Sequence, residues 1–233
     1  MARARTRASA RLEAGRKALD WIRILARSGR NLVGEVLSGH GTFYEWEHYP
    51  PGDVLDAESA SQWYYHAHPK EERPGEHGHF HLFRRDGADT IHLVAIGMDA
   101  AGLPIHLFTT NRWVTGERIE PADRVAHLLE GFDVALAVPS WPVNRWLGAV
   151  LRFYAPEIRA LLAERDRMIE VKRRELGSND ILEDRRLEVT SMRAIDLAGD
   201  VAALERALGA TSRARRSAPG PGIHATRSSA GGA

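Results

Sequence analysis

The chain has 233 residues, of which 43% are hydrophobic and 27% charged, and its formal net charge is +1. This length suits one domain, because a single hydrophobic core remains feasible up to about 250 residues. The near-neutral charge excludes a general electrostatic attraction to nucleic acid or anionic lipid. The absence of cysteine excludes disulfides and thiolate ligands.

No apolar run approaches the roughly 20 residues of a membrane span, and the basic start lacks the apolar core of a signal peptide. We therefore expect a cytoplasmic, bacterial-type protein that does not enter a membrane. The predicted organisation is a disordered basic N-terminus over residues 1–10, a single domain over residues 11–209, and a disordered tail rich in Arg, Ser, Gly and Pro over residues 210–233.

Apolar residues at helical spacing predict a first amphipathic helix from about Ala8 to Ala26. A short helical stretch follows over Asn31–Leu37. The next segment contains Trp46, Pro50, Pro51 and Gly52, and its turn residues predict irregular structure.

The middle of the chain is predicted to form a sheet. Four short segments are rich in strand-forming residues and separated by turn residues: Ser61–His68, His79–Arg85, Thr90–Met98 and Pro104–Thr110. Their short connections, including Asp86-Gly87, require antiparallel neighbours. Leu187–Met192 is either one more strand or an extended strap, which gives an antiparallel meander of four to five strands.

Helical patterns return after Glu120. Four helices are predicted there. The first ends near Gly131, and the second begins at the N-cap Ser140. The third begins at Pro156, and the last is capped by Asp196. The fold class is therefore α+β, with N- and C-terminal helices packed on the sheet.

Histidine is concentrated in one short stretch. Five of the eleven histidines fall within 16 residues: His66, His68, His77, His79 and His81. Even scatter would place about 0.8 there. Since alternate residues of a strand share a face, two paired strands would gather these rings around a common point.

Grouped imidazoles predict a metal site. In the absence of cysteine, imidazole favours a divalent transition metal such as Zn, Fe, Mn, Ni or Cu. Glu47, Glu72 and Glu76 are candidate catalytic carboxylates. Two alternatives stay open: a proton-transfer or ligand site without metal, and histidines with ordinary structural hydrogen bonds.

A second polar group ends the last predicted strand. Asn111, Arg112 and Trp113 are candidate ligand-binding residues, because Arg can bind an anion through two hydrogen bonds. The alternative is a turn stabilised by Asn and by an Arg–Trp stack. His92 and His106 are expected at the edge of the core, and His106 is the better candidate for the site.

Several sequence blocks resemble an uncharacterised bacterial family, a domain of unknown function. They are WEHYPPGDV, EHGHFH, FTTNRWVTGE and PSWPVNRWL. The resemblance implies a shared fold and a bacterial origin, and it brings no activity or cofactor. A partial similarity to the cupin metal motif covers His66, His68 and Glu72, although a cupin jelly roll needs about eight strands.

The sequence thus predicts a His-rich metal-dependent enzyme acting on a small polar molecule. The alternative is a non-catalytic module that binds metal, a ligand or a partner, as a sensor or buffer would. The basic termini also allow a nucleic-acid accessory role, although interleaved apolar residues in the first helix favour a solvated face. The oligomeric state stays open.

Overall fold

The computed structural model describes residues 2–176 and 179–217. Seven α-helices lie in this part of the chain: α1 (Ala2–Arg27), α2 (Leu32–Leu37), α3 (Arg112–Thr115), α4 (Ala122–Glu130), α5 (Trp141–Phe153), α6 (Ala155–Leu176) and α7 (Leu197–Ser217). A 3-10 helix spans Asn179–Glu183. Within the described residues, no helix combines the length and apolarity needed to cross a bilayer.

Six strands form one antiparallel sheet, and the class is α+β as predicted. They are β1 (Tyr49–Asp56), β2 (Ser61–His66), β3 (Gly78–Asp86), β4 (Asp89–Met98), β5 (Pro104–Thr110) and β6 (Val189–Ala194). Their spatial order is their order in the chain. The prediction of four to five strands is too low, and the single sheet differs from the double sheet of a cupin jelly roll.

The first strand lies where the sequence predicts irregular structure. Pro50, Pro51 and Gly52 belong to β1, which pairs with β2, lies at the edge of the sheet formed by the described residues, and has an irregularity between Tyr49 and Val54. An edge strand tolerates proline, because one side of its backbone makes no ladder hydrogen bonds. The two prolines therefore exclude a central strand at this position, but they do not exclude an edge strand.

The last strand resolves the alternatives left open for Leu187–Met192. The chain returns from the helices and adds β6 beside β5, with Phe108 opposite Met192 and Thr109 opposite Ser191. The Ser191 hydroxyl donates to the carbonyl of Leu161 in α6, at 2.9 Å. This contact fixes the long helix against the sheet.

Helices pack on one face of the sheet through aromatic side chains. The Trp63 indole of β2 donates to the Asn144 side chain of α5 at 3.0 Å, and Phe80 of β3 contacts Trp146 at 5.9 Å between ring centroids. Trp63, Phe80 and Trp146 have no exposed surface. Burial of such large side chains makes this layer the hydrophobic core.

Side chains cap the helix starts at Ser140 and Asp196, as predicted, and also at Asn31. Asn31 accepts from the Gly34 amide at 2.8 Å, and Asp196 accepts from the Gly199 amide at 3.0 Å. Ser140 caps α5 through the Val143 amide. These side chains satisfy amides that the first turn of a helix leaves unpaired.

Both ends of the chain are more helical than the sequence predicts. Helix α1 begins at Ala2 and so includes residues 2–10, which were expected to be disordered, and α7 continues to Ser217. The expected tail over 218–233, and residue 1, lie outside the described residues. A helix can continue through Arg- and Ala-rich sequence, because both residues have high helix propensity.

Candidate metal centre

Histidines of the middle strands occupy the sheet face opposite the helices. Trp63 and Phe80 point toward α5, so the residues that alternate with them point the other way. His66 follows this rule on β2, and His79 and His81 follow it on β3. All three rings are buried. The predicted pairing of two histidine-bearing strands is thereby present.

Strand register places these residues in a row across the sheet. His66 lies opposite His79, His79 opposite Gly97, and Gly97 opposite His106. The row crosses four neighbouring strands, from β2 to β5. Residues 40 positions apart in the sequence therefore become neighbours on one surface.

Three of the histidines form a compact group. His66, His68 and His79 each offer a ring nitrogen, and these nitrogens lie within 4.8 Å of one another. The Nε2 atoms of His66 and His79 are 2.6 Å apart. Small ring movements would bring three nitrogens at this spacing to bond length from one ion, about 2.0–2.1 Å. The group could hold a metal ion.

Carboxylates set the tautomers of two of these rings. Glu76 accepts from Nδ1 of His79 at 2.6 Å, and Glu72 lies 3.3 Å from Nδ1 of His68. A carboxylate accepts only, so each Nδ1 carries the proton and each neutral ring keeps its lone pair on Nε2. Metal-binding histidines in proteins are oriented by such carboxylates.

Burial keeps the rings of His66 and His79 neutral. It lowers the pKa of His66 to about 3 and that of His79 well below its ordinary value, and neighbouring histidines and Arg73 lower both pKa values further. Neutral imidazole is the form that binds a metal. The Nε2 atom of His68 is buried and, within the described residues, makes no hydrogen bond.

His81 lies beside the group but makes different contacts. Its ring centroid is 4.7 Å from that of His79, and its Nδ1 lies 3.1 Å from Nε2 of His92. Nδ1 of His92 lies 3.4 Å from the Thr110 hydroxyl. The Nε2 atom of His81 is buried and has no partner among the described residues. His81 is therefore outside the three-residue group, with one nitrogen unused.

His106 joins the site through Glu76. The second oxygen of Glu76 lies 2.5 Å from Nε2 of His106, so one carboxylate bridges His106 and His79. A Cβ atom at Gly97 would collide with the His106 ring. The glycine thus lets the imidazole lie across β4. An isolated glycine inside a strand was the sequence signal for this close approach.

His77 is not brought to the group. It precedes β3, and its Nδ1 lies 2.7 Å from the Tyr65 hydroxyl, while its ring contacts Phe43. Tyr65 alternates with His66 and so belongs to the helix-facing side of β2. Strict alternation from His79 predicted the opposite side, but the alternation rule applies only within a continuous strand.

The three candidate carboxylates have different environments. Glu76 is buried, with 2% of its side chain exposed, and both of its oxygens are engaged by histidines. Glu72 is half exposed beside His68. Glu47 is exposed in the segment that precedes β1. The buried position suits Glu76 to orient rings rather than to exchange protons with solvent.

Asn111, Arg112 and Trp113 have partners elsewhere in the protein. Asn111 donates to the Ile181 carbonyl at 2.7 Å, Arg112 pairs with Glu183 at 2.7 Å, and Trp113 donates to a backbone carbonyl at 2.9 Å. These bonds attach α3 to the segment that contains the 3-10 helix. Arg185 lies over the Trp113 ring, 5.4 Å from its centre. Ligand binding by Asn111, Arg112 and Trp113 stays a prediction.

An aromatic strap, residues 43–48, covers one side of the histidines. The Trp46 ring lies 4.2 Å from that of His68, and the Trp46 amide donates to the Ala67 carbonyl at 2.9 Å. His48 stacks on Tyr64 at 3.7 Å. The strap thus packs against His68 and Tyr64 at the edge of the group.

An open cleft lies on another side of the group. Its volume is about 430 Å³, and its lining includes His68, Arg73, Glu76, His106 and Glu188. Polar side chains from the loop after β2 and from β5 therefore meet in the cleft. A cavity of this size is of the order that holds a small molecule.

A family model described as "Domain of unknown function (DUF6969)" matches residues 12–195. The chain belongs to this family. The match runs from α1 to β6 and includes every histidine of the site, and it confirms the predicted membership of an uncharacterised family. No curated protein and no solved structure matches the chain. Membership of DUF6969 therefore identifies the family of the domain, but it does not indicate an activity.

Proposed function

We propose that this DUF6969 protein is a metal-dependent enzyme that acts on a small polar molecule. His66, His68 and His79 hold a divalent transition metal, and the adjoining cleft receives the substrate. The observation that carries the proposal is the group of three ring nitrogens within 4.8 Å of one another beside that cleft.

Three imidazole ligands suit the late first-row metals, and Zn, Fe, Mn, Ni and Cu are the candidates. A three-ligand set leaves at least one coordination position free, as in catalytic zinc sites. An ion in such a site supplies Lewis acidity and lowers the pKa of a water molecule. The open cleft favours an enzyme over a sensor or buffer, for which a closed ligand set suffices.

Other residues of the site have distinct roles in this proposal. Glu76 is a positioning residue, since it holds His79 and His106 in fixed orientations. Glu72 is the exposed carboxylate at the cleft, and it is the candidate for proton exchange. His81 offers its unpartnered Nε2 to a ligand near the ion. Glu47 has no role in the proposal.

The test is metal content after dialysis, measured by elemental analysis on wild type, His79→Ala and His77→Ala. We expect about one Co²⁺ or Zn²⁺ per wild-type chain, and a similar content in His77→Ala, whose ring contacts Tyr65 instead. His79→Ala should lose the ion. Glu76→Gln should keep it with an affinity about 10–100-fold lower, because the orienting carboxylate is gone.

Two results would contradict the proposal. One is a wild-type protein that binds no divalent metal under reducing, metal-replete conditions. The other is equal retention of the ion by His79→Ala and His77→Ala, which would mean that binding does not use the three-residue group. Melting temperatures of all variants separate loss of a ligand from loss of the fold.

A further inference from the structure

Arg73 is the one arginine that lines the cleft among the described residues. Its guanidinium lies 4.8 Å from the centre of the Phe108 ring, and only 12% of its side chain is exposed. Phe108 in turn contacts His79 at 5.0 Å between ring centroids. The arginine thus lies between the histidine group and the cleft.

Several N–H donors of the guanidinium make no hydrogen bond to the described residues. Nη2 donates to the carboxylate of Glu188, and Nη1 lies 4.0 Å from Glu76, beyond hydrogen-bond distance. Arginine carries five N–H donors. Within the described residues, none of its nitrogens is both buried and unpartnered, so the remaining donors keep some exposed surface, and the residue lines the cleft.

Charge in this region favours a ligand that takes the place of Glu188. The cleft is lined by Arg73 and by three carboxylates, Glu72, Glu76 and Glu188, and a divalent ion on the three neutral imidazoles would add two positive charges. Glu76 is already shared by His79 and His106. A substrate carboxylate that displaces Glu188 would therefore keep the charge of the site balanced between Arg73 and the ion.

The contact with Glu188 indicates which anion fits. A carboxylate already lies against the guanidinium, and a planar carboxylate matches the two parallel donors of arginine. Glu188 belongs to the segment just before β6 and is 35% exposed, so it is not locked in place by burial. It occupies the position that a ligand's own carboxylate would take.

We propose that the substrate is a small carboxylic acid whose carboxylate binds Arg73 while another of its oxygens reaches the ion held by the three histidines. Glu188 pairs with Arg73 in the free protein and competes with the substrate for it. This inference rests on the proposed function, because the second anchor is the metal ion.

The test uses the full-length protein loaded with Co²⁺, whose visible spectrum changes when a ligand enters the coordination sphere. The probes are malonate and succinate, with azide as an anion that needs only the ion. Arg73→Gln should weaken dicarboxylate binding about 10–100-fold, the loss expected for a charge-assisted hydrogen-bonded pair. Its azide affinity should stay within about threefold of wild type, since azide needs only the ion.

A second variant, Glu188→Gln, should change the malonate affinity in the opposite direction. Glu188→Gln should tighten malonate binding about threefold, because it removes the competing charge. A purely structural ion pair would give no gain. The matched controls are Arg159→Gln and Glu130→Gln, which break an exposed Arg–Glu pair elsewhere on the surface. Both should bind malonate as wild type does.

The outcomes separate the two proposals. A wild-type protein that takes up no Co²⁺ overturns the metal site and this inference together. Normal Co²⁺ uptake, with dicarboxylate affinities unchanged in Arg73→Gln, overturns the inference alone. If Arg73→Gln fails to fold or to load, Glu188→Gln decides, and an unchanged or weaker malonate affinity contradicts the role of Arg73.

Discussion

Buried histidines on the sheet make the stability of the protein depend on pH. Burial lowers the pKa of His66 and of His92 to about 3, and it places the pKa values of His79 and His81 well below their ordinary range. In the unfolded chain these rings titrate near pH 6.5. The folded state therefore keeps four rings neutral at pH values where the unfolded chain protonates them.

We expect the metal-free protein to lose stability as the pH falls from about 6.5 toward 3, and to keep it above that window. Each buried ring should add about 1.4 kcal/mol per pH unit to the loss of unfolding free energy in the window. Urea denaturation between pH 7.5 and 4.5 measures this slope. A free energy of unfolding that stays flat between pH 7 and 5 would contradict neutral burial of the histidines.

The sequence predicted that histidines form the site, but it did not predict which side chains each histidine contacts. His66 and His79 come together because alternation and strand pairing are local consequences of the sequence. His68 lies two residues beyond the end of β2, so its approach to them depends on the loop that follows. His77 differs because it lies just outside β3, and strand ends are the least certain feature of a pattern. His106 is distant in the sequence, and its approach to Glu76 depends on the register of β3, β4 and β5.

At the scale of the strands, what a proline or a glycine indicates about structure depends on which strands lie beside it in the sheet. Pro50 and Pro51 are compatible with β1 because it is an edge strand, and the sequence does not state which strand is the edge. Gly97 allows the His106 ring to cross β4. The edge position of β1 follows from the pairing of β6 with β5, and the contact of Gly97 with His106 follows from the register of β4 and β5.

Gly97→Ala should destabilise the protein by about 1–3 kcal/mol, because the added methyl group collides with the His106 ring in a closely packed layer. The displaced ring would also lose its contact with Glu76. Gly34→Ala in α2 is the control, since its Cβ would meet only the Asn31 side chain at an ordinary 3.5 Å. Thermal or chemical denaturation compares the two variants.

An equal, small change in both glycine variants would show that His106 does not lie over β4. A gain in stability for Gly34→Ala is compatible with the structure, because alanine has the higher helix propensity. The comparison therefore isolates the contact across the strand from the general effect of replacing a glycine.

At the scale of the whole molecule, the two faces of the sheet have different roles. The helices bury aromatic residues such as Trp63 and Phe80 on one face and provide the stability of the domain. The opposite face carries the histidine group, which is bounded by the aromatic strap and by the cleft. In the proposed function, the chemistry belongs to the face opposite the helices.

X-ray absorption spectroscopy of the Zn²⁺-loaded protein tests the central claim most directly, since it reports the ligands of the ion itself. The account predicts about three imidazole nitrogens at about 2.0–2.1 Å, with the multiple scattering of histidine rings, and one or more lighter-atom ligands from solvent. A first shell made of oxygen alone, or one that is unchanged in His79→Ala, would contradict it.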